Sequence, residues 1–155
     1  MTWLELAVPL VAMFEGCARR QGLLVYPYLD TLAKPPKPTR GYGRTYGITM
    51  ESEAITVEQA KAELGVGLSA YAQRVLKLAP KLLTRPACLA AVTSWVWNCG
   101  LGAFAVSRLR KAINEERWDD ASALLLKPDT AGGVVYRGLQ RRRLAEQTLF
   151  ASGVM

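Results

Sequence analysis

The 155-residue chain reads as an α+β protein that is mainly helical, with a small β-containing segment set between helices. Three observations predict this class. Apolar residues crowd positions 3–14 at a density that suits a buried helix. Residues 16–49 then lose that pattern, interrupted by Gly22, Pro27, the run Ala33-Lys34-Pro35-Pro36-Lys37-Pro38, and Gly41, Gly43 and Gly47. From Thr56 onward a three-to-four spacing of apolar residues returns and persists.

Gly16 stands where the first helix must stop, which leaves Glu15 at its C-terminal end. Loop and short strands are expected over 16–49, with a small hairpin over 39–49, where Tyr42, Thr45, Tyr46 and Ile48 alternate with glycines. Thr56-Val57-Glu58-Gln59 places a hydroxyl at a helix N-cap and an amide three residues later, the capping-box arrangement. The helix it opens carries Ala60, Leu64, Leu68, Tyr71, Val75 and Leu78 on its apolar face; Gly65 and Gly67 are its weak points and Pro80 marks its end. Further helices are expected over 86–99, 104–114, 117–126 and 136–150, separated by Gly100 and Gly102, by Asn114, and by the stretch from Pro128 to Gly133.

Composition narrows the chemistry. Half of the residues are hydrophobic and 21% are charged, enough for a core and unlike a disordered chain. The absence of histidine excludes imidazole-based triads, histidine-ligated zinc and histidine pH sensing together. Cys17, Cys88 and Cys99 form no CxxC pair and are odd in number, so reduced thiols are expected rather than a disulfide framework or a metal knuckle. The net charge of +7 and pI near 9.6 attract polyanions, among which nucleic acid, anionic membrane and wall polymers all qualify. The N-terminal apolar run lacks a basic flank, carries Glu5 and Pro9, and is too short to span a bilayer, so neither a leader nor stable membrane insertion is expected.

Among the acids, Glu15 is singled out because burial beside Met13 and Phe14, and the negative end of a helix dipole, would both disfavour a charged carboxyl; from position alone the other reading is a glutamate that merely ends its helix in solvent. A carboxyl kept neutral is what a general acid requires. Asp30 is the lone acid of residues 16–50, among Arg19, Arg20, Lys34, Lys37, Arg40 and Arg44, a field that keeps it ionised. A protonated glutamate and an ionised aspartate are the split pair of glycoside hydrolysis.

These residues fall in a pattern that resembles the phage-type lysozymes, or endolysins, of glycoside hydrolase family 24, over roughly residues 10–150. Phe14-Glu15-Gly16 is similar to the family's glutamate motif at a helix end, and Tyr28-Leu29-Asp30 to its aspartate segment. Thr39-Arg40-Gly41-Tyr42-Gly43-Arg44-Thr45 resembles its threonine and GxG motif. The stretch from Ser94 through Trp95, Trp97, Asn98, Gly100 and Gly102 to Phe104 resembles its aromatic-Asn-x-Gly-x-Gly-Ala-Phe motif. Ser107, Arg117-Trp118-Asp119-Asp120-Ala121, Gly132-Gly133, and Gly138 through the arginine run to Glu146 complete the order. The chain departs from the family in a longer stretch between Glu15 and Asp30, in the Ala33–Pro38 turn, and in Arg44, where the family often has histidine.

The resemblance implies a single lysozyme-like domain, with a small lobe of about residues 15–57, a helical lobe of about 1–14 plus 58–155, and an active-site cleft between them. It implies hydrolysis of the β-1,4 bond between N-acetylmuramic acid and N-acetylglucosamine in bacterial peptidoglycan. Glu15 would be the general acid, Asp30 the carboxylate that activates or positions water, and Thr39 a holder of that water. Thr45, Trp97 and Ser107 would line the saccharide site; Arg142 would steady Glu15, with Asn98 in support. No cofactor or metal is implied, the partner is peptidoglycan rather than nucleic acid, and the protein is expected to be a monomer. It would wait in the host bacterial cytoplasm until release to the wall in the periplasm. Other readings of the residues are a wall-binding relative with impaired catalysis, a lytic transglycosylase, and a basic nucleic-acid-binding protein, although no nucleic-acid motif is present. From residue types alone, the arginine run 141–143 reads as a solvated helix face, with Glu146 at i+3 and i+4 pairing distance. Trp95 and Trp97, two apart on a helix, cannot share one face.

Overall fold

The computed structural model describes residues 1–127, 130–131, 134–135 and 137–155. Gly132, Gly133 and the proline at 128 that figure in the sequence motifs lie outside the described residues. Packing divides the chain into two compact units, Val11–Gly67 and Met1–Leu10 together with Leu68–Met155. The first reaches past the 15–57 segment at both ends.

Helix α1 (Trp3–Glu15) opens on a capping box at Thr2 and Glu5: Glu5 N–H donates to Thr2 Oγ1 at 3.2 Å and Thr2 N–H donates to Glu5 Oε2 at 2.7 Å. It closes where Gly16 takes a left-handed φ of +67°. The strands of the Val11–Gly67 unit are short. β1 (Arg20–Gln21) and β2 (Leu24–Val25) form a hairpin, and β2 also pairs with β5 (Ile55–Thr56). β3 (Tyr28–Asp30) and β4 (Lys37–Thr39) form a separate antiparallel ribbon in the register Tyr28↔Thr39, Leu29↔Pro38, Asp30↔Lys37. The hairpin expected over 39–49 is corrected: beyond Thr39, the last residue of β4, that stretch holds a single bridge, Arg40 to Arg44, and the strands lie on either side of it. Its alternation of aromatics and glycines produces tight turns instead of a ladder, because glycines at 41, 43 and 47 all take positive φ.

Helix α2 (Val57–Leu78) starts at the predicted box, with Gln59 N–H donating to Thr56 Oγ1 at 3.1 Å and Thr56 N–H to Gln59 Oε1 at 2.8 Å. It runs unbroken through Gly65 and Gly67. In the second unit a 3-10 turn (Pro80–Thr84) leads to α3 (Pro86–Cys99). The expected 104–114 helix is two helices, α4 (Leu101–Ala105) and α5 (Arg108–Asn114), because Ser107 intervenes as an N-cap, accepting from Arg110 N–H at 3.0 Å. α6 (Trp118–Leu125), the strand pair β6 (Thr130–Ala131) and β7 (Val134–Val135), and α7 (Arg137–Ser152) follow. The core of this unit gathers Leu82, Val92, Val96, Phe104, Ile113, Leu125 and Phe150, with α3 packed on α7 and α6 on both α5 and α7. Trp95 packs edge-on against Phe104, ring centroids 6.2 Å apart, and Trp118 lies 6.3 Å from Phe150. All three cysteines are free; Cys88 is buried, and burial pushes its thiol up to about 11.

The Arg40–Arg44 bridge depends on Gly41. Its φ is +66°, and a Cβ there would meet the Ala60 Cβ of α2 at 3.1 Å, whereas one on Gly43, at φ +97°, meets nothing within 4 Å. Both alanine variants incur backbone strain, but Gly41→Ala also overpacks the contact with α2, so it should destabilise by about 1–3 kcal/mol more than Gly43→Ala. Urea unfolding midpoints compared at constant slope measure this, and equal midpoints would show that backbone strain alone sets the cost.

Candidate active site

Glu15 ends α1 and belongs to the same compact unit as Asp30 and Thr39. Of the two readings of its position, the one that ends a helix in solvent holds and the buried one does not: Glu15 is exposed, and Met13 beside it is 65% exposed. A helix that ends on its acid, followed at once by a left-handed glycine, turns that last residue out toward solvent.

Asp30 and Thr39 are brought together by strand register. Side chains two apart on a strand share a face, and Tyr28 stands opposite Thr39. Tyr28, Asp30, Lys37 and Thr39 therefore occupy one face of the β3–β4 ribbon, with Asp30 and Thr39 as diagonal neighbours. Asp30 Oδ1 accepts from Leu32 N–H at 3.0 Å, an Asx turn that orients the carboxylate. Thr39 is 2% exposed and its hydroxyl donates to the Lys37 carbonyl at 3.1 Å. The hydrogen of that hydroxyl is thus committed, and its oxygen remains an acceptor. Tyr28 is held in its neutral phenol form by burial first, then by the negative charge of Asp30 and the neighbouring Cys17. Tyr26 N–H donates to the Arg19 carbonyl at 3.2 Å, which ties the segment that follows Glu15 to the chain leading into β3. Burial likewise raises the Cys17 thiol against the pull of Arg20.

Thr45 is exposed just beyond the Arg40–Arg44 bridge. The bridge is clamped by a residue that sequence reading did not single out. Glu63 of α2 accepts on one oxygen from Arg40 Nη2 at 2.9 Å and from Arg44 Nη1, while Arg40 Nη1 donates to the Glu53 carbonyl at 2.7 Å. Arg44 also lies 4.5 Å from the centroid of the Tyr46 ring. No sequence signal joins residues 19 and 23 positions apart; a lone acid on an α2 turn facing the GxG segment becomes visible only in the fold.

The other expected residues belong to the helical unit. Trp97 is half-buried against Tyr71, ring centroids 5.0 Å apart. Ser107 spends its hydroxyl on the α5 cap and on the Phe104 carbonyl, to which it donates at 2.7 Å. The arginine run is not a solvated face: Arg141 is exposed, but Arg142 and Arg143 are buried, because α7 turns them toward α3. Glu146, without exposed surface, accepts from Arg142 Nε at 3.1 Å, from Ser94 Oγ at 2.7 Å and from Arg143 Nη1. Arg142 Nη2 donates to the Ser94 carbonyl at 3.1 Å, and Arg143 also donates to the side-chain oxygen of Asn98. Burial is the largest influence on the Glu146 carboxyl and pushes it up; Arg143, Ser94 and Arg142 pull it back. The helical i, i+3 and i, i+4 spacings announced the pairing, but neither its burial nor the part played by Ser94. Among the described residues no cluster of histidine, cysteine and carboxylate side chains has metal-ligand geometry.

The fold is lysozyme-like, a set of packed helices joined to a small unit of short antiparallel strands. A solved structure, the muramidase domain of SpmX from Asticaccaulis excentricus, superposes with a TM-score of 0.75 at 27% identity, covering 94% of each chain. The phage lysozyme family model matches residues 14–146, and the chain belongs to that family. The endolysin of Bacillus phage PZA is 37% identical over 115 residues, 74% of this chain and 44% of that protein. The endolysin of Bacillus phage B103 is 33% identical over 154 residues, 96% of this chain and 54% of that protein. The chain thus spans about half the length of these curated relatives.

Removing the charge of Glu146 takes away the carboxylate that two buried guanidinium groups share. Glu146→Gln should therefore lower stability by about 3–5 kcal/mol in urea or thermal unfolding. A loss under about 1 kcal/mol would mean that the arginines find other acceptors or reach water.

Proposed function

We propose that the protein is a muramidase of phage host lysis, cleaving the β-1,4 bond between N-acetylmuramic acid and N-acetylglucosamine in peptidoglycan. The observation that most supports this reading is the β3–β4 register, which sets Asp30 and Thr39 on one face of a ribbon in the unit where α1 ends at Glu15. Glu15 donates its proton to the glycosidic oxygen as the bond from that oxygen to the anomeric carbon breaks. Asp30, oriented by Leu32 N–H, accepts one hydrogen of a water through its remaining acceptor capacity. Thr39, whose own hydrogen goes to Lys37, accepts the other. A water held by two acceptors presents its lone pair outward, toward the oxocarbenium-like carbon; as it adds, its proton passes to Asp30. Direct attack by water predicts inversion at that carbon.

Thr45 and the half-exposed Trp97 are saccharide contacts in this scheme, the indole offering an apolar face to a sugar ring. Ser107 contributes surface rather than a free hydroxyl. Arg142, held by Glu146 and Ser94, and Asn98, held by Arg143, are the supporting residues of this reading. The reaction needs carboxylates and a water, with no cofactor or metal. The enzyme acts as a monomer on the wall in the periplasm after release from the host cytoplasm. No helix among the described residues is long and apolar enough to cross a membrane. The net charge of +7 favours encounter with an anionic wall in a salt-dependent manner.

Clearance of purified sacculi by the wild type, Glu15→Gln, Asp30→Asn and Thr39→Ala, with mass analysis of the fragments, tests the proposal. The wild type should release reducing muropeptides, and each carboxylate variant should lose about 10²- to 10⁴-fold in rate while keeping its unfolding transition. Anhydromuramic products would replace the hydrolase by a transglycosylase, and a folded wild type without clearance would overturn the enzymatic reading.

A further inference from the structure

The face of the β3–β4 ribbon that carries Asp30 and Thr39 also carries a residue to which the scheme above gives no task. Tyr28 stands directly opposite Thr39 and two places before Asp30 on the same strand, so its side chain borders both. The polar groups of these two neighbours are already engaged in part: Asp30 Oδ1 accepts from Leu32 N–H, and the Thr39 hydrogen goes to the Lys37 carbonyl. The Tyr28 hydroxyl, by contrast, has no hydrogen-bond partner among the described residues. Its phenol is neutral, kept so by burial first and then by the charges of Asp30 and Cys17, and it therefore retains a hydrogen to donate. Lys37, opposite Asp30 on the same face, is exposed and carries a strongly hydrated ammonium, whereas Tyr28 is half-buried. The face thus has two acceptors given to a water and one half-buried donor left for another acceptor.

What that donor meets is set by where the reaction places the sugar. Water held on Asp30 and Thr39 attacks an anomeric carbon that lies over this face, and the substituent on the adjacent ring carbon then comes to the longer tyrosine side chain. In both sugars of peptidoglycan that substituent is an acetamide, a carbonyl oxygen that accepts joined to a methyl group. Tyrosine offers the matching pair, an O–H at its tip and an apolar ring beneath it. We propose that Tyr28 is a specificity-determining residue, donating its phenol hydrogen to the acetamide carbonyl of the sugar whose glycosidic bond is cleaved, with its ring against the acetyl methyl. The proposal rests on the muramidase reading and adds to it the group that selects N-acetylated glycan. It has a second consequence for the chemistry. An acetamide oxygen is itself a nucleophile within reach of its own anomeric carbon; tied to Tyr28 it is turned away, and attack is left to the water. The phenol keeps its proton throughout, so no bond is made or broken at Tyr28.

The test crosses a change in the enzyme with a change in the substrate. Purified sacculi are de-N-acetylated and then re-acylated with either acetyl or trifluoroacetyl groups; the second has nearly the shape of the first but a carbonyl that accepts hydrogen bonds poorly. Initial rates at low sacculus concentration, which follow kcat/KM, are measured for the wild type and Tyr28→Phe, a variant that keeps the ring and loses only a hydroxyl without a protein partner. On acetylated sacculi Tyr28→Phe should be slower by about five- to tenfold, the worth of one neutral hydrogen bond. On trifluoroacetylated sacculi it should fall by less than about twofold, because the bond it deletes is weak there from the start. A tyrosine that serves the fold alone slows both substrates by the same factor, so equal losses overturn the proposal. An undiminished rate on acetylated sacculi overturns it as well. Matching unfolding transitions of the two chains verify that the comparison is between folded proteins. A wild type that clears neither form fails the muramidase reading itself, an outcome distinct from an active wild type whose rate does not depend on Tyr28.

Discussion

The helical unit is built around a carboxylate that has no contact with water. Glu146 lies between the guanidinium groups of Arg142 and Arg143 and the hydroxyl of Ser94. Each of these charges alone would be expelled from the interior, because stripping its water costs several kcal/mol. Together they satisfy one another, and the carboxylate accepts from α3 and α7 at once. The set therefore works as a register pin: α7 cannot slide along α3 without leaving a buried charge unpaired. It also carries order outward, since Arg143 fixes the side chain of Asn98 at the end of α3 and Arg142 is oriented from behind by Ser94 and Glu146.

The Val11–Gly67 unit meets the same difficulty with less material. Its strands are two or three residues long, too short to be stable as ladders by themselves. What substitutes for length is a clamp. Glu63 reaches from α2 to Arg40 and Arg44, and Arg40 continues to the Glu53 carbonyl. Arg40 follows Thr39 directly, so the clamp that closes the turn also fixes the end of the ribbon on which Asp30 and Thr39 meet. Both units thus spend a partly or wholly buried acid on two arginines, once to seat a helix and once to seat a turn.

Elements whose cause is local were legible in the sequence. The Thr56–Gln59 box opened α2 where expected, and Gly16 closed α1. Glycines 65 and 67 failed to interrupt α2 because Leu64 and Leu68 bury its apolar face, which outweighs the propensity cost of two glycines. The strands were misplaced toward 39–49 because alternation in a glycine-rich stretch cannot be told from a series of turns until positive φ is known. The 104–114 segment was read as continuous because Ser107 gives a helix start signal only if the preceding residues have already left the helix. Ordered motifs identified Glu15, Asp30 and Thr39 as candidates, but apolar neighbours in sequence could not decide between a buried and a solvent-exposed Glu15, and the fold exposes it.

The sequence by itself determined the α+β class, the helix caps, the reduced thiols, the exclusion of imidazole chemistry and the order of motifs that marks a phage lysozyme. These follow from residue type and from spacings within one or two turns of helix, where backbone geometry leaves few choices. Tertiary structure alone decided which charges are buried. Ser94 and Glu146 are 52 positions apart, and Arg40 and Glu63 are 23 apart. It also decided that Asp30 and Thr39 share a face, since a strand's register sets the orientation of every side chain on it and a slip of one residue would turn them apart. Pairings of this kind depend on how distant segments pack, and burial strengthens them by excluding the water that would otherwise weaken every charge involved.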